Sequence, residues 1–171
     1  MYEKLLDEAY ANGITVIEKY PFQSARIRGL CCDDTIALSE QIDTTAERTV
    51  VLCEELNHAT ASFGNILQDK KEEHRTRQRT FDRLITLDGL ARAALSGCRE
   101  AWEFADCFGV PQSFFAEAME NYKARYGVMT HVRLPQGLFC LQLEPTLRVR
   151  RAIRTTDKKK LSESTKKEMR R

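Results

Sequence analysis

The sequence predicts an α+β fold, in which helices accompany small sheets instead of alternating with the strands of a large one. Helical and β-prone segments are short and mixed over the first forty residues, a long capped helix follows, and a helical region precedes a terminal hairpin. With 171 residues, 42% of them hydrophobic and 8% aromatic, the chain is an ordinary globular one with room for one or two small cores.

The N-terminal elements follow from periodicity and turn residues. Residues 2–11 carry apolar side chains on one helical side, and Asn12-Gly13 is a typical helix end. Residues 14–17 then read as an extended segment. Residues 26–32 and 35–38 flank an Asp-Asp turn, so they predict a β-hairpin.

Two longer helices come next. Thr44 and Glu47 have the spacing of a capping box, which predicts a helix over residues 44–63 that ends at Gly64. Its apolar side consists of Val50, Val51, Cys53, Leu56 and Ala59. A second helix is predicted from residue 71 to residue 84, with a polar N-terminal half.

Three further helices are predicted at residues 87–95, 98–108 and 112–126, and a hairpin at residues 131–134 and 138–143. The helices on either side of the link at residues 108–111 have helix-turn-helix spacing. Acidic and aromatic residues on the second of them make a poor DNA-recognition surface. A structural helix pair, or a docking face for a protein, is therefore favoured over a DNA reader.

Charge is distributed unevenly along the chain, although the net charge is only +2. Residues 148–171 hold eleven basic and three acidic residues, a balance of +8, which leaves −6 for the rest. This segment lacks aromatic residues, so a disordered or marginally helical extension is predicted. It would bind nucleic acid weakly through phosphates or simply stay solvated, and the second interpretation is favoured.

The sequence shows neither a secretory signal nor an apolar run long enough to span a membrane. A cytoplasmic protein without membrane contact is therefore expected. The six cysteines form no C-x-x-C pair, so reduced and partly buried thiols are expected.

The stretch Glu54-Glu55-Leu56-Asn57-His58 carries the chemistry. On a helix, residues 54 and 58 lie one turn apart on the same face, as in the zinc-binding H-E-x-x-H motif. Here a glutamate, also an ordinary zinc ligand, stands in place of the first histidine. The alternative is a solvated acidic face with a half-buried histidine. Charges on an otherwise apolar helix need a partner, however, and a metal would be one.

Four blocks occur in order along the chain: residues 27–38, residues 44–58 with the E-E-x-x-H motif, residues 83–87, and residues 114–127. Together they resemble the ImmA/IrrE-like metallopeptidases, in particular their short phage and mobile-element branch, to whose hairpin residues 27–38 are similar. The resemblance implies a zincin-like metallopeptidase core at residues 1–86. A helical region with the terminal hairpin at residues 87–146 and the basic tail at residues 147–171 would follow.

The resemblance also implies site residues. Glu54, His58 and Glu73 would bind Zn²⁺ and Glu55 would be the general base, although the third ligand could lie one position away from Glu73. The implied activity is that of a zinc-dependent endopeptidase. The implied partner is a protein substrate, a helix-turn-helix repressor of a phage or mobile element.

The chain departs from the family pattern at three positions. Asn57 replaces the usual glycine, Thr76 a small alanine, and Arg79 an aromatic residue. These departures leave open a second function, in which a non-catalytic scaffold of the same family binds the repressor as a regulator. A third and weaker alternative is a DNA-binding protein that uses the helix pair and the basic tail.

Overall fold

The computed structural model describes residues 1–61 and 70–152, and this part of the chain holds six helices and two three-stranded sheets. The predicted α+β class is confirmed. The helices are α1 Tyr2–Ala11, α2 Thr45–Ala61, α3 Lys70–Leu84, α4 Leu87–Leu95, α5 Ala101–Phe108 and α6 Gln112–Tyr126. The strands are β1 Thr15–Tyr20, β2 Gly29–Cys32, β3 Thr35–Ser39, β4 Met129–Leu134, β5 Gly137–Gln142 and β6 Arg148–Arg151.

The first sheet has the order β1-β3-β2, so the predicted hairpin of β2 and β3 is confirmed and β2 lies at the sheet edge. Asp33 opens its turn with a φ of 50°, a left-handed conformation that aspartate adopts more readily than most residues. Strand β1 pairs with β3 in parallel. The α2 helix packs against α1, β2 and β3, which places its motif next to the sheet edge.

The capping residue of α2 is the predicted one. Thr44 Oγ1 accepts a hydrogen bond of 3.1 Å from the backbone N–H of Glu47. The Glu47 carboxylate forms an ion pair of 3.2 Å with Arg28, just before β2. The start of α2 is therefore tied to the strand against which its later turns pack. The predicted end of this helix, at residues 62–64, lies outside the described residues.

The remaining helices agree with the prediction except at one end. Helices α3, α4 and α6 are confirmed, whereas α5 begins at Ala101 instead of residue 98. The reason is a capping box in which Glu100 is the N-cap and the side chain of Glu103 accepts a hydrogen bond from the backbone N–H of Glu100. Gly109, with a φ of 66°, ends α5. The rings of Phe104 in α5 and Phe115 in α6 are stacked, with their centres 5.7 Å apart.

The second sheet has the order β4-β5-β6 and confirms the terminal hairpin. Strand β6 falls within the residues predicted to form a disordered or marginally helical extension, so that prediction is wrong for Arg148–Arg151. Val149 pairs with Leu141 and packs against the hydrophobic core. Nothing in the sequence indicated this contact, because the other three residues of the strand are arginines. Residues 153–171 lie outside the described part of the chain.

Buried side chains of both sheets and of the helices form one hydrophobic cluster. The expected domain boundary at residue 86 falls in the short link between α3 and α4. Within the described residues, no helix has the length and apolar character needed to cross a membrane.

Candidate metal centre

The α2 helix presents Glu54 and His58 on the same side. They are one turn apart, as the spacing predicts, and their side chains are 23% and 24% exposed. Cys53 and Leu56 of the same helix are fully buried in the core. The carboxylate and the imidazole therefore lie at the margin of the core, where a small ligand can reach them.

Glu73 reaches His58 from the first turn of α3. Its Oε2 atom lies 3.7 Å from His58 Nε2, and its side chain is 74% exposed. The two neighbouring candidates for a third ligand make other contacts: Glu72 pairs with Arg79 at 3.0 Å, and His74 contacts a glutamine on its own helix. Of the three adjacent residues, Glu73 is the one that faces the motif.

Arg77 is the main feature of the site that sequence reasoning missed. Its Nη1 donates to Glu54 Oε1, and its Nη2 donates to Glu117 Oε2 of α6 at 2.6 Å. The guanidinium carbon also lies 5.3 Å from the ring centre of Phe81 and 4.9 Å from that of Phe114. One cation therefore joins three helices and neutralises a carboxylate that was expected to bind a metal.

Glu55 lies on the neighbouring side of α2, against strand β2. A Cβ atom added at Gly29 would be 2.8 Å from Glu55 Oε1, so the glycine makes room for this carboxylate. Burial raises the pKa of Glu55 to about 7, and the negative charge of Glu54 adds to the rise. A hydrogen bond from the backbone N–H of Cys31 acts in the opposite direction. Glu55 therefore changes its protonation state near neutral pH.

Glu54 is subject to similar effects with a different balance. Burial raises its pKa, while the adjacent Arg77 charge and its hydrogen bond act to lower it. The charge of Glu73 raises the pKa and that of His58 lowers it, so these groups act on one another electrostatically. The site is a coupled cluster of charges built on two helices.

The donor set has the right chemistry for zinc, because imidazole nitrogen and carboxylate oxygen are both common ligands. Among the described residues, however, no group of three or more histidine, cysteine or acidic side chains stands ready to hold a metal ion. His58 and Glu73 approach each other, whereas Glu54 is paired with Arg77. A three-ligand site would therefore have to include the carboxylate of Glu54, one oxygen of which is already engaged by Arg77.

Two of the departures from the family pattern have structural roles. The buried Asn57 amide donates to Thr80 Oγ1 at 2.9 Å, and its oxygen accepts from Arg83 at 3.2 Å, so it joins α2 to α3. Arg79 pairs with Glu72 on the surface of α3. Thr76 is different, because its buried hydroxyl has no hydrogen-bond partner in the described part of the chain.

Comparisons with protein-family models, curated proteins and solved structures find no match to this chain. The metallopeptidase resemblance therefore stays a prediction that rests on its sequence blocks. The geometry of residues 54–58, Glu73 and Arg77 is the remaining basis for a function.

Proposed function

We propose that this protein is a zinc-dependent endopeptidase of the bacterial cytoplasm that cleaves a helix-turn-helix repressor of a phage or mobile element. The observation that carries the proposal is the approach of Glu73 to within 3.7 Å of His58, one turn after Glu54 on the packed helix α2. The imidazole and carboxylates that meet at this surface are ligand types found in catalytic zinc sites. The repressor as substrate comes from the family resemblance alone.

The roles of the side chains follow from their chemistry. Glu54, His58 and Glu73 would bind zinc and leave one position open. Bound zinc would polarise the scissile carbonyl and make the attacking water more acidic. With a pKa of about 7, Glu55 is suited to accept a proton from that water and to deliver it to the leaving amine.

Strand β2 would hold the substrate. It lies at the edge of its sheet and packs on α2, and its Cys31 backbone bonds to Glu55. An extended peptide can add to such an edge through main-chain hydrogen bonds. A substrate strand paired with Gly29–Cys32 would pass beside the general base, which is the placement that cleavage needs.

Metal analysis of the purified protein is the first test. We expect about one zinc per chain in protein prepared without chelators, together with a loss of zinc and of thermal stability in His58→Ala. His74→Ala is the matched control, because His74 lies on α3 next to the proposed ligand and contacts its own helix. Metal-free wild-type protein that is as stable as His58→Ala would refute the metal site.

Cleavage assays with the cognate repressor then separate the two glutamates. Glu55→Gln should keep zinc and the fold but abolish cleavage, whereas Glu54→Gln should weaken zinc binding. The reverse pattern would mean that the motif has been assigned one residue out of register.

The second candidate is a non-catalytic regulator that binds the repressor stoichiometrically. The ion pair between Arg77 and Glu54 favours it, since this pair uses a proposed ligand for another purpose. This candidate predicts that wild type and His58→Ala bind the intact repressor equally well and that neither cleaves it. A helix-turn-helix repressor encoded next to this protein would support both candidates.

A further inference from the structure

We propose that Arg77 is a built-in competitor of the metal, which engages the carboxylate of Glu54 until the ion displaces it. The inference rests on the proposed function, because it concerns the same metal centre. It adds a residue that neither the motif nor the family pattern contains. It also accounts for the contact of Glu54 with Arg77 at a site where the other two proposed ligands, His58 and Glu73, approach each other.

The position of the Arg77 guanidinium allows it to compete with a metal ion for the carboxylate of Glu54. Its Nη1 donates to Glu54 Oε1, so the carboxylate is engaged from α3 and not by His58 on its own helix. Glu54 is largely buried, and a buried charge without a partner is costly. The ion pair with Arg77 compensates the charge of Glu54 when no metal is bound.

Release of Glu54 would not leave the arginine without a partner. Nη2 of Arg77 keeps its 2.6 Å contact with Glu117, and the guanidinium stays over the rings of Phe81 and Phe114. In this exchange Arg77 loses one hydrogen bond, and Glu54 gains a contact with the metal. A guanidinium has five N–H donors, so Arg77 can give up its contact with Glu54 and keep the one with Glu117.

Electrostatics gives the sign of the effect on metal affinity. A fixed positive charge beside a cation site repels the incoming ion, and its hold on a ligand must be broken before that ligand can bind. Both effects make zinc bind more weakly to the wild-type protein than to a variant without the charge. A guanidinium that only oriented Glu54 for the metal would have the opposite effect, because its removal would weaken zinc binding.

Arg125 provides a matched control, because its pair with Asp82 also joins α6 to α3. Like Arg77 it is 32% exposed, pairs with a carboxylate, Asp82 at 2.8 Å, and lies over two aromatic rings, Tyr122 and Tyr126. It contacts none of the proposed ligands in these interactions. Removal of Arg125 therefore reproduces the loss of an ion pair and a cation–π contact without touching Glu54.

The experiment measures zinc dissociation constants of the full chain by competition with a chromophoric chelator, for wild type, Arg77→Met and Arg125→Met. We expect Arg77→Met to bind zinc about tenfold more tightly or better, which corresponds to about 1.4 kcal/mol. We expect Arg125→Met to bind it like the wild type. Zinc should also raise the melting temperature of Arg77→Met by more than it raises that of the wild type.

Arg77→Lys keeps the test possible if the methionine variant does not fold. Lysine keeps the positive charge but lacks the planar fork with which arginine contacts Glu54 and Glu117 together, so its hold on Glu54 should be weaker and zinc binding intermediate. Tighter binding by either variant than by wild type, with Arg125→Met unchanged, supports the competitor role. Tight binding by Arg77→Met alone, with none by wild type, supports it as well and favours the regulator as the function.

Two results would overturn the inference, and they can be told apart. If wild type binds zinc and Arg77→Met binds it equally or more weakly, Arg77 is not a competitor but the metal site stands. If neither wild type nor the Arg77 variants bind zinc, the proposed metal centre and the competitor role are both lost.

Discussion

Replacement of Glu55 by glutamine tests the electrostatics of the site without any substrate. In metal-free protein the carboxyl group lies against strand β2, and burial together with the charge of Glu54 raises its pKa from an ordinary value of 4.5 to about 7. Glutamine has nearly the same shape and can still accept the hydrogen bond from the backbone of Cys31. The substitution therefore removes the titration while it keeps the packing.

The sign follows from proton linkage. Because the pKa of Glu55 is higher in the folded than in the unfolded protein, the folded state binds the proton more tightly. Its ionisation consequently lowers wild-type stability as the pH rises from about 4.5 to about 7, and has no further effect above that. A rise of this size corresponds to about 3 kcal/mol at pH 8, since one pKa unit corresponds to about 1.4 kcal/mol.

Urea unfolding in the presence of a chelator, at pH 4.5 and pH 8, measures this difference. Glu55→Gln should match the wild type at the lower pH and exceed it by up to about 3 kcal/mol at the higher one. Glu103→Gln is the control with the opposite trend, because backbone hydrogen bonds from Glu100 and Arg99 lower the pKa of Glu103. Its loss of stability should therefore be larger at pH 8 than at pH 4.5. A pH-independent effect of Glu55→Gln would show that this carboxyl is not desolvated.

Three further predictions concern the supporting structure, each measured by thermal unfolding. Gly29→Ala should lower stability by about 1–3 kcal/mol, because its Cβ would lie 2.5 Å from Val51 Cγ1; an unchanged melting temperature would contradict the tight contact of β2 with α2. Asn57→Ala should cost about 1–3 kcal/mol, since Thr80 Oγ1 and Arg83 on α3 each lose a hydrogen-bond partner on α2. A chain that ends at Pro145 loses β6 and should unfold at a lower temperature than one that ends at Ala152; equal melting temperatures would contradict a structural role for β6.

Local signals in the sequence predicted most helix bounds. The α4 and α6 helices agree with their predicted ranges because their end signals are sequence-local: Thr86 caps α4, and Pro111 and Gly127 flank α6. Helix α5 begins later than predicted, because the apolar pattern includes Cys98, which lies upstream of the capping residue Glu100. Periodicity identifies a helix, but the cap determines where it begins.

Long-range pairing could not be read from the sequence in the same way. Parallel pairing of β1 with β3 and the addition of β6 to β5 depend on contacts between distant segments. For β6 the composition favoured the wrong prediction, because three of the four residues in Arg148–Arg151 are arginines. A single half-buried valine and the hydrogen-bonding edge of β5 outweigh that charge in the folded protein.

In the candidate site, too, local spacing could be read from the sequence and long-range packing could not. Helical spacing predicted that Glu54 and His58 share a face, and Glu73 Oε2 of α3 lies 3.7 Å from His58 Nε2. Arg77 was not predicted, although it stands one turn after Glu73 on α3. Its role depends on Glu117, which α6 supplies, and helix spacing contains no information on that packing.

The departures from the family pattern do not all bear on activity in the same way. Asn57 spans α2 and α3 through its hydrogen bonds to Thr80 and Arg83, and these are the two helices that carry His58 and Glu73. Its presence therefore supports the approach of the two proposed ligands instead of opposing it. The choice between an enzyme and a regulator depends instead on Glu54. If zinc can take this carboxylate from Arg77, the three donors meet beside Glu55, and if it cannot, the same surface remains a neutralised docking face.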